Sequence, residues 1–126
     1  MPKETITAKN APAAIGPYCH GIKCGDMIYT SGQIPLIPET GEMVTEVKPA
    51  AQRVLENLLA IVEAGGGKKE DIIKMEIFVR DLGDFAAINE VYSAFFCNHT
   101  PTRYLVQVAD LPAGALLEAV ATAYVG

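Results

Sequence analysis

Positive charge, cysteine and long apolar runs are all scarce in this chain, and each scarcity removes a class of function. Ten Lys and Arg stand against fifteen Asp and Glu, for a formal net charge of −5. Nucleic acid and anionic membrane both need a basic footprint, so neither is an expected partner. No apolar run approaches the ~20 residues of a membrane span. The opening Met1-Pro2-Lys3-Glu4-Thr5 lacks the basic-then-apolar pattern of a secretory leader. Three cysteines, Cys19, Cys24 and Cys97, form an odd count with no framework or Cys-x-x-Cys spacing. Ordinary thiols in a reducing, cytoplasmic compartment are expected, and no metal. There is no internal repeat or low-complexity tract. The 126 residues, half of them hydrophobic, fit one globular domain, 1–126.

Periodicity gives an order of elements. Glu4–Thr7 reads as a short edge strand. Asn10–Pro17 is broken by two prolines and a glycine and reads as a loop. Tyr18–Lys23 and Met27–Ser31 form a hairpin around Gly25-Asp26. Pro38–Gly41 is a turn. A helix runs from Pro49 to Ala64, with Ala51, Val54, Leu55, Leu58, Leu59 and Val62 on its apolar side. Gln52, Arg53, Glu56 and Asn57 fall on the other. Gly65-Gly66-Gly67 ends it. After a strand at Ile72–Val79, Asp84 is placed to cap a second helix carrying Ile88, Val91, Tyr92, Phe95 and Phe96. Arg103–Val108 and Leu116–Val125 complete the strands. Two helices cover one sheet face. The opposite parity of the last strand, Leu116, Val120 and Tyr124 around Glu118, is still largely apolar and calls for another subunit.

Most candidate chemistry reduces to ordinary structure. Gly65-Gly66-Gly67-Lys68-Lys69 follows a helix, and no Ser or Thr follows the lysine, so it is a helix stop and not a phosphate loop. Asn98-His99-Thr100 precedes Pro101 and is a chance glycosylation match. Ser31 has no Gly-x-Ser-x-Gly elbow. The Ser31-Gly32 pair is either a supported turn or a small-ligand contact. Arg103 and Glu118 are more informative, being charges inside otherwise uncharged strands. Burying either alone costs several kcal/mol. They form either a structural ion pair or an anion site with an acid/base group beside it.

Longer segments resemble the reactive intermediate deaminase family, whose members are also called translation inhibitors or L-PSP endoribonucleases. The resembling stretches are Ala11–Tyr18, Thr30–Pro35, Asp71–Met75, Phe78–Leu82, Asp84-Phe85-Ala86, Ile88-Asn89, Pro101-Thr102-Arg103, Val106–Ala109, Leu111-Pro112 and Glu118. The resemblance implies an α+β, chorismate-mutase-like mixed sheet with two helices on one face. It further implies a homotrimeric barrel with sites between subunits. The activity implied is cofactor-free hydrolysis of 2-enamine and 2-imine acids to 2-oxo acids and ammonia. By position, Arg103 would hold the substrate carboxylate and Glu118 would place the attacking water. Tyr18 would line the pocket, Ser31 and the Gly32 N–H would contact the ligand, and Asn89 would support. Leu105 stands where many relatives have cysteine, leaving its backbone N–H to meet a carboxylate. Tyr104 and a shortened 98–101 loop are further departures. RNA cleavage, and a non-catalytic carboxylate-binding, chaperone-like role, are the competing expectations.

Overall fold

The computed structural model describes residues 2–126. Six strands form one mixed sheet: β1 (Lys3–Ile6), β2 (Gly21–Cys24), β3 (Met27–Thr30), β4 (Ile72–Val79), β5 (Thr102–Gln107) and β6 (Leu117–Tyr124). Their spatial order is β1-β2-β3-β6-β4-β5. Among the described residues only β4 and β5 run parallel, because α2 (Phe85–Phe96) carries the chain back between them. α1 (Val47–Ala64) links β3 to β4.

The apolar stripe of α1 decides where the core lies. Ala50, Ala51, Val54, Leu55, Leu58, Ile61 and Val62 are all buried. They meet the inward parity of β4 and β6, namely Met75, Ile77, Val79, Leu117, Ala119, Ala121 and Ala123. The small alanines on β6 let the helix approach closely. Pro49 sits in the first turn of α1, where its missing N–H costs nothing. At the other end the Gly65 N–H bonds to the Ile61 carbonyl at 3.1 Å. Gly66, at φ +93°, takes the left-handed position that closes the helix.

Among the described residues the second face carries no helix. Tyr29, Tyr104, Val106 and Tyr124 are exposed on it, each between 42% and 50%. The uncovered, largely apolar face expected from the parity of β6 is therefore present.

Three local expectations are corrected. Tyr18 and Cys19 are not in a strand, since the Tyr18 N–H turns back to the Gly16 carbonyl at 2.8 Å and β2 starts at Gly21. The Asp84 side chain makes no cap bond to α2. Asp81 does that work one turn earlier, its Oδ1 accepting the Gly83 N–H at 2.8 Å. Asn57, placed on the polar side of α1, is fully buried. Its Nδ2 donates to the Ile34 and Leu36 carbonyls, and its Oδ1 accepts from Arg53 Nε at 3.1 Å.

Candidate active site

Strand register places the two strand charges on opposite faces of the sheet. Arg103 on β5 pairs with Met75 on β4, and Met75 pairs with Ala121 on β6. Met75 and Ala121 are core residues, so Arg103 projects to the helix side. Glu118 pairs with Phe78, which pairs with Val106, in a row on the open side. A structural ion pair within one protomer is thereby excluded. Among the described residues neither charge takes part in a salt bridge.

Arg103 is cradled by one stripe of α2. Its Nη1 donates to Asn89 Oδ1 at 2.7 Å. The guanidinium lies 4.8 Å from the Tyr92 ring centre and 5.8 Å from that of Phe85. Residues 85, 89 and 92 recur at four- and three-residue steps and so share a helix face. Cation–π contacts of this kind contribute on the order of 0.5–2 kcal/mol. The Asn89 bond uses one side of the fork, leaving Nη2 and Nε for a ligand. Burial pushes the Tyr92 hydroxyl above its ordinary value, with Arg103 opposing.

Leu105 shares the helix side with Arg103, through its pairing with buried Ile77. The Val108 N–H bonds to the Val79 carbonyl at 2.8 Å. Backbone groups alternate along a strand, so the N–H groups of Arg103 and Leu105 point away from β4, off the sheet edge. β5 is that edge strand. An anion held by the Arg103 fork can therefore also receive the Leu105 N–H.

Glu118 lies in a separate hollow of about 350 Å³ on the other face, walled by Ile15, Tyr18, Ser31, Gly32, Ile34 and Pro112. Its origin is an irregularity between β3 and β6. Tyr29 pairs with Thr122 and Gln33 with Ala119, so four residue steps face three. The extra residue throws Ser31-Gly32 against Glu118. A Cβ on Gly32 would stand 2.5 Å from Glu118 Oε2, which is why glycine is needed there. Partial burial raises the Glu118 carboxyl above its ordinary value. Ser31 Oγ–H donates to the Cys19 carbonyl at 2.6 Å, so toward a ligand the hydroxyl can only accept. The Tyr18 hydroxyl accepts the Ile15 N–H at 3.3 Å and keeps its own proton free.

The structure thus gathers Tyr18, Ser31, Gly32 and Glu118 in one cluster, and Asn89, Arg103 and Leu105 in another. It does not unite them within one protomer. Sequence reading missed Phe85 as a support of Arg103 and assigned Tyr92 only to a packing face. Their spacing from Asn89 was a usable signal. It also missed the walls Ile15, Ile34 and Pro112, which come from loops and carry no periodic signal.

Comparison with known proteins gives a consistent set of relatives. The family model described as Endoribonuclease L-PSP matches residues 8–125. A 2-iminobutanoate/2-iminopropanoate deaminase of Escherichia coli strain K12 is 51% identical over 118 residues, covering 91% of this chain and 92% of that protein. A RutC family protein of Pyrococcus abyssi is 46% identical over 125 residues, 98% of each chain. The crystal structure of E. coli TdcF with bound serine superposes with a TM-score of 0.93 at 51% identity, covering 96% of this chain and 98% of that one.

Proposed function

The chain belongs to the Endoribonuclease L-PSP family, and from that membership we propose that it is an enzyme hydrolysing 2-imino acids and their enamine tautomers to 2-oxo acids and ammonia. The observation that carries this reading is the division of an anion-binding group and a partly buried carboxylate between two faces. A single protomer has half a site on each face. We propose a homotrimer in which the open faces close on one another. Because Arg103 lies on the edge strand β5, that edge would bring the Arg103 cluster of one protomer to the Glu118 cluster of the next. The exposed aromatic and aliphatic side chains of the open face support that assembly.

In the assembled site the substrate carboxylate takes the free edge of the Arg103 guanidinium, a two-pronged charge-assisted contact, and the Leu105 N–H. C2 of the imine is then presented to the Glu118 hollow. Glu118 removes a proton from water as the water oxygen attacks C2, giving a carbinolamine. That proton passes to the imine nitrogen to complete the carbinolamine. Glu118 then takes the C2 hydroxyl proton and hands it to the amine, the C–N bond breaks, and ammonia leaves as the C2–O bond becomes a carbonyl. Ser31 Oγ is oriented to accept from the imine N–H, and the Gly32 N–H to donate to the developing oxygen. The Tyr18 ring closes one side of the pocket. No cofactor enters any of these steps. An imine carbon is already electrophilic, so orientation and charge placement supply the acceleration. A cytoplasmic setting in a single domain suits three unpaired thiols.

The test is to generate 2-iminobutanoate in situ with a threonine dehydratase and follow 2-oxobutanoate and ammonia. Faster release with this protein at micromolar concentration is expected. No acceleration would overturn the reading in favour of a carboxylate binder. The family description also names RNA cleavage, which the net charge of −5 opposes. Incubation of nuclease-free protein with unstructured RNA is expected to leave the RNA intact.

A further inference from the structure

His20 takes no part in the hydrolysis, yet it is 8% exposed and both ring nitrogens are engaged. Nδ1 accepts the Ala8 N–H at 2.9 Å. With its lone pair so used, the neutral ring carries its proton on Nε2, which donates to the Pro12 carbonyl at 2.7 Å. The ring therefore pins both ends of residues 8–12. The main chain at the same place serves the opposite wall of the pocket. His20 O accepts the Ser31 N–H at 2.8 Å, next to the bond from Ser31 Oγ to Cys19 O.

Between Pro12 and Tyr18 the chain is tied to itself, by Tyr18 N–H to Gly16 O and by Ile15 N–H to the Tyr18 hydroxyl. It contains no regular strand or helix. Its placement over Glu118 depends on what holds its ends. One end is the Pro12 carbonyl on the ring, and the other runs directly into Cys19 and His20.

We propose that His20 is a positioning residue of this site: its neutral ring closes the 8–18 loop so that Ile15 and Tyr18 stand over Glu118. A histidine that merely fills space would need no acceptor and donor aimed at two points of one functional loop. The inference rests on the hydrolytic reading for its substrate but is legible from ligand binding alone. Without the clasp the loop samples more conformations, and closing it on a ligand costs affinity.

The experiment compares wild type with His20→Leu, which keeps bulk, and His20→Asn, which keeps an acceptor near the Nδ1 position. Affinity for 2-oxobutanoate is read by calorimetry, KM and kcat by the coupled imine assay, and melting temperature beside them. Loss of two hydrogen bonds predicts roughly tenfold weaker binding and a similar rise in KM for His20→Leu, with kcat within about threefold. His20→Asn should recover part of the affinity. A lower melting temperature with KM and affinity unchanged would overturn the proposal, because a purely structural histidine gives that result. Should His20→Leu fail to fold, labelled wild-type protein decides. Adding 2-oxobutanoate should shift the His20 ring nitrogens and slow exchange of the Ala8 amide, and no response overturns the clasp. Wild type that binds 2-oxobutanoate but leaves the imine untouched would sink the deaminase reading while leaving the clasp measurable.

Discussion

Arg103 stands on the covered face and is held by one stripe of a single helix, whereas Glu118 stands on the open face and is walled by loops from three parts of the chain. The first arrangement is rigid because α2 is itself packed into the core through Ile88, Phe95 and Phe96. The second depends on single polar anchors beneath each loop. Asn57 fixes the carbonyls around Ile34, and Arg80 Nη1 bonds to the Gly114 carbonyl at 2.8 Å behind Pro112. Behind that rim Ala113 holds a left-handed φ of +55°. Each protomer thus presents a preset guanidinium on one face and, on the other, a hollow whose shape is set by loops. Binding and turnover should respond separately to substitution.

The sharpest way to break that comparison is to disable each half in a different chain. Glu118→Gln keeps the shape but removes the proposed base, so turnover should fall about 10²–10⁴-fold with 2-oxo acid binding largely kept. When that chain is refolded together with Arg103→Ala, each site of the proposed trimer would draw its arginine and its glutamate from different protomers. Random mixing of equal amounts then restores about one quarter of the sites, since each required residue is intact with probability one half. Mixed samples as inactive as the separate variants would show that the two faces do not meet across protomers.

Gly32→Ala tests the loop-built half alone. The new methyl would press on the Glu118 carboxylate, the flexible end of a side chain, so folding should be nearly unaffected. Misplacing a catalytic group by about 1 Å can cost roughly 10²-fold, and that is the fall expected in kcat with the affinity for 2-oxobutanoate nearly constant. Steady-state kinetics beside calorimetry would decide it. Equal losses in both would mean that the open face also holds the carboxylate.

Arg103→Ala tests the helix-held half. Charge-assisted hydrogen bonds contribute on the order of 1.5–3 kcal/mol each, so affinity for a 2-oxo acid should drop more than tenfold. Arg103→Lys should recover only part, because an ammonium lacks the planar fork and sits differently over Tyr92. Full recovery by lysine in calorimetry would reduce the α2 cradle to a source of charge.

Much of this division was readable before the structure, and the unread parts share a cause. The periodicity of α1 and the parity of β6 were strong because many residues repeat them. Asn57 was misplaced because its polarity outweighed its position, and its burial depends on two carbonyls about twenty residues away in sequence. Tyr18 and Cys19 looked like strand because local composition cannot show that the Tyr18 N–H turns back on Gly16. Arg103 and Glu118 were both singled out, but their opposite facing needs β4 to lie between β5 and β6. That order is set by long-range pairing and has no local signature. The α2 cradle was half legible, since Asn89 was given a site role while Phe85 was not.

The smallest expected effect concerns protonation of the open-face carboxylate. Burial lifts Glu118 above the ordinary carboxylate range, so the folded protein binds this proton more readily than the unfolded chain does. The cost of holding the charge is present at pH values above the raised folded value. It fades as pH falls through that value and is gone below the unfolded one. Glu118→Gln carries no such charge. It should melt slightly higher than wild type near neutral pH, and the gap should close on acidification across that window. Turnover runs the other way, because Glu118, as the proposed base, must be ionised to take a proton from water. Wild-type kcat should therefore fall on the acid side at a pH above the ordinary carboxylate range, while the residual activity of Glu118→Gln should lack that limb. A matching limb in the variant would assign the titration to another group, and an unchanged melting difference at all pH values would mean that the Glu118 carboxylate is not strained by its burial.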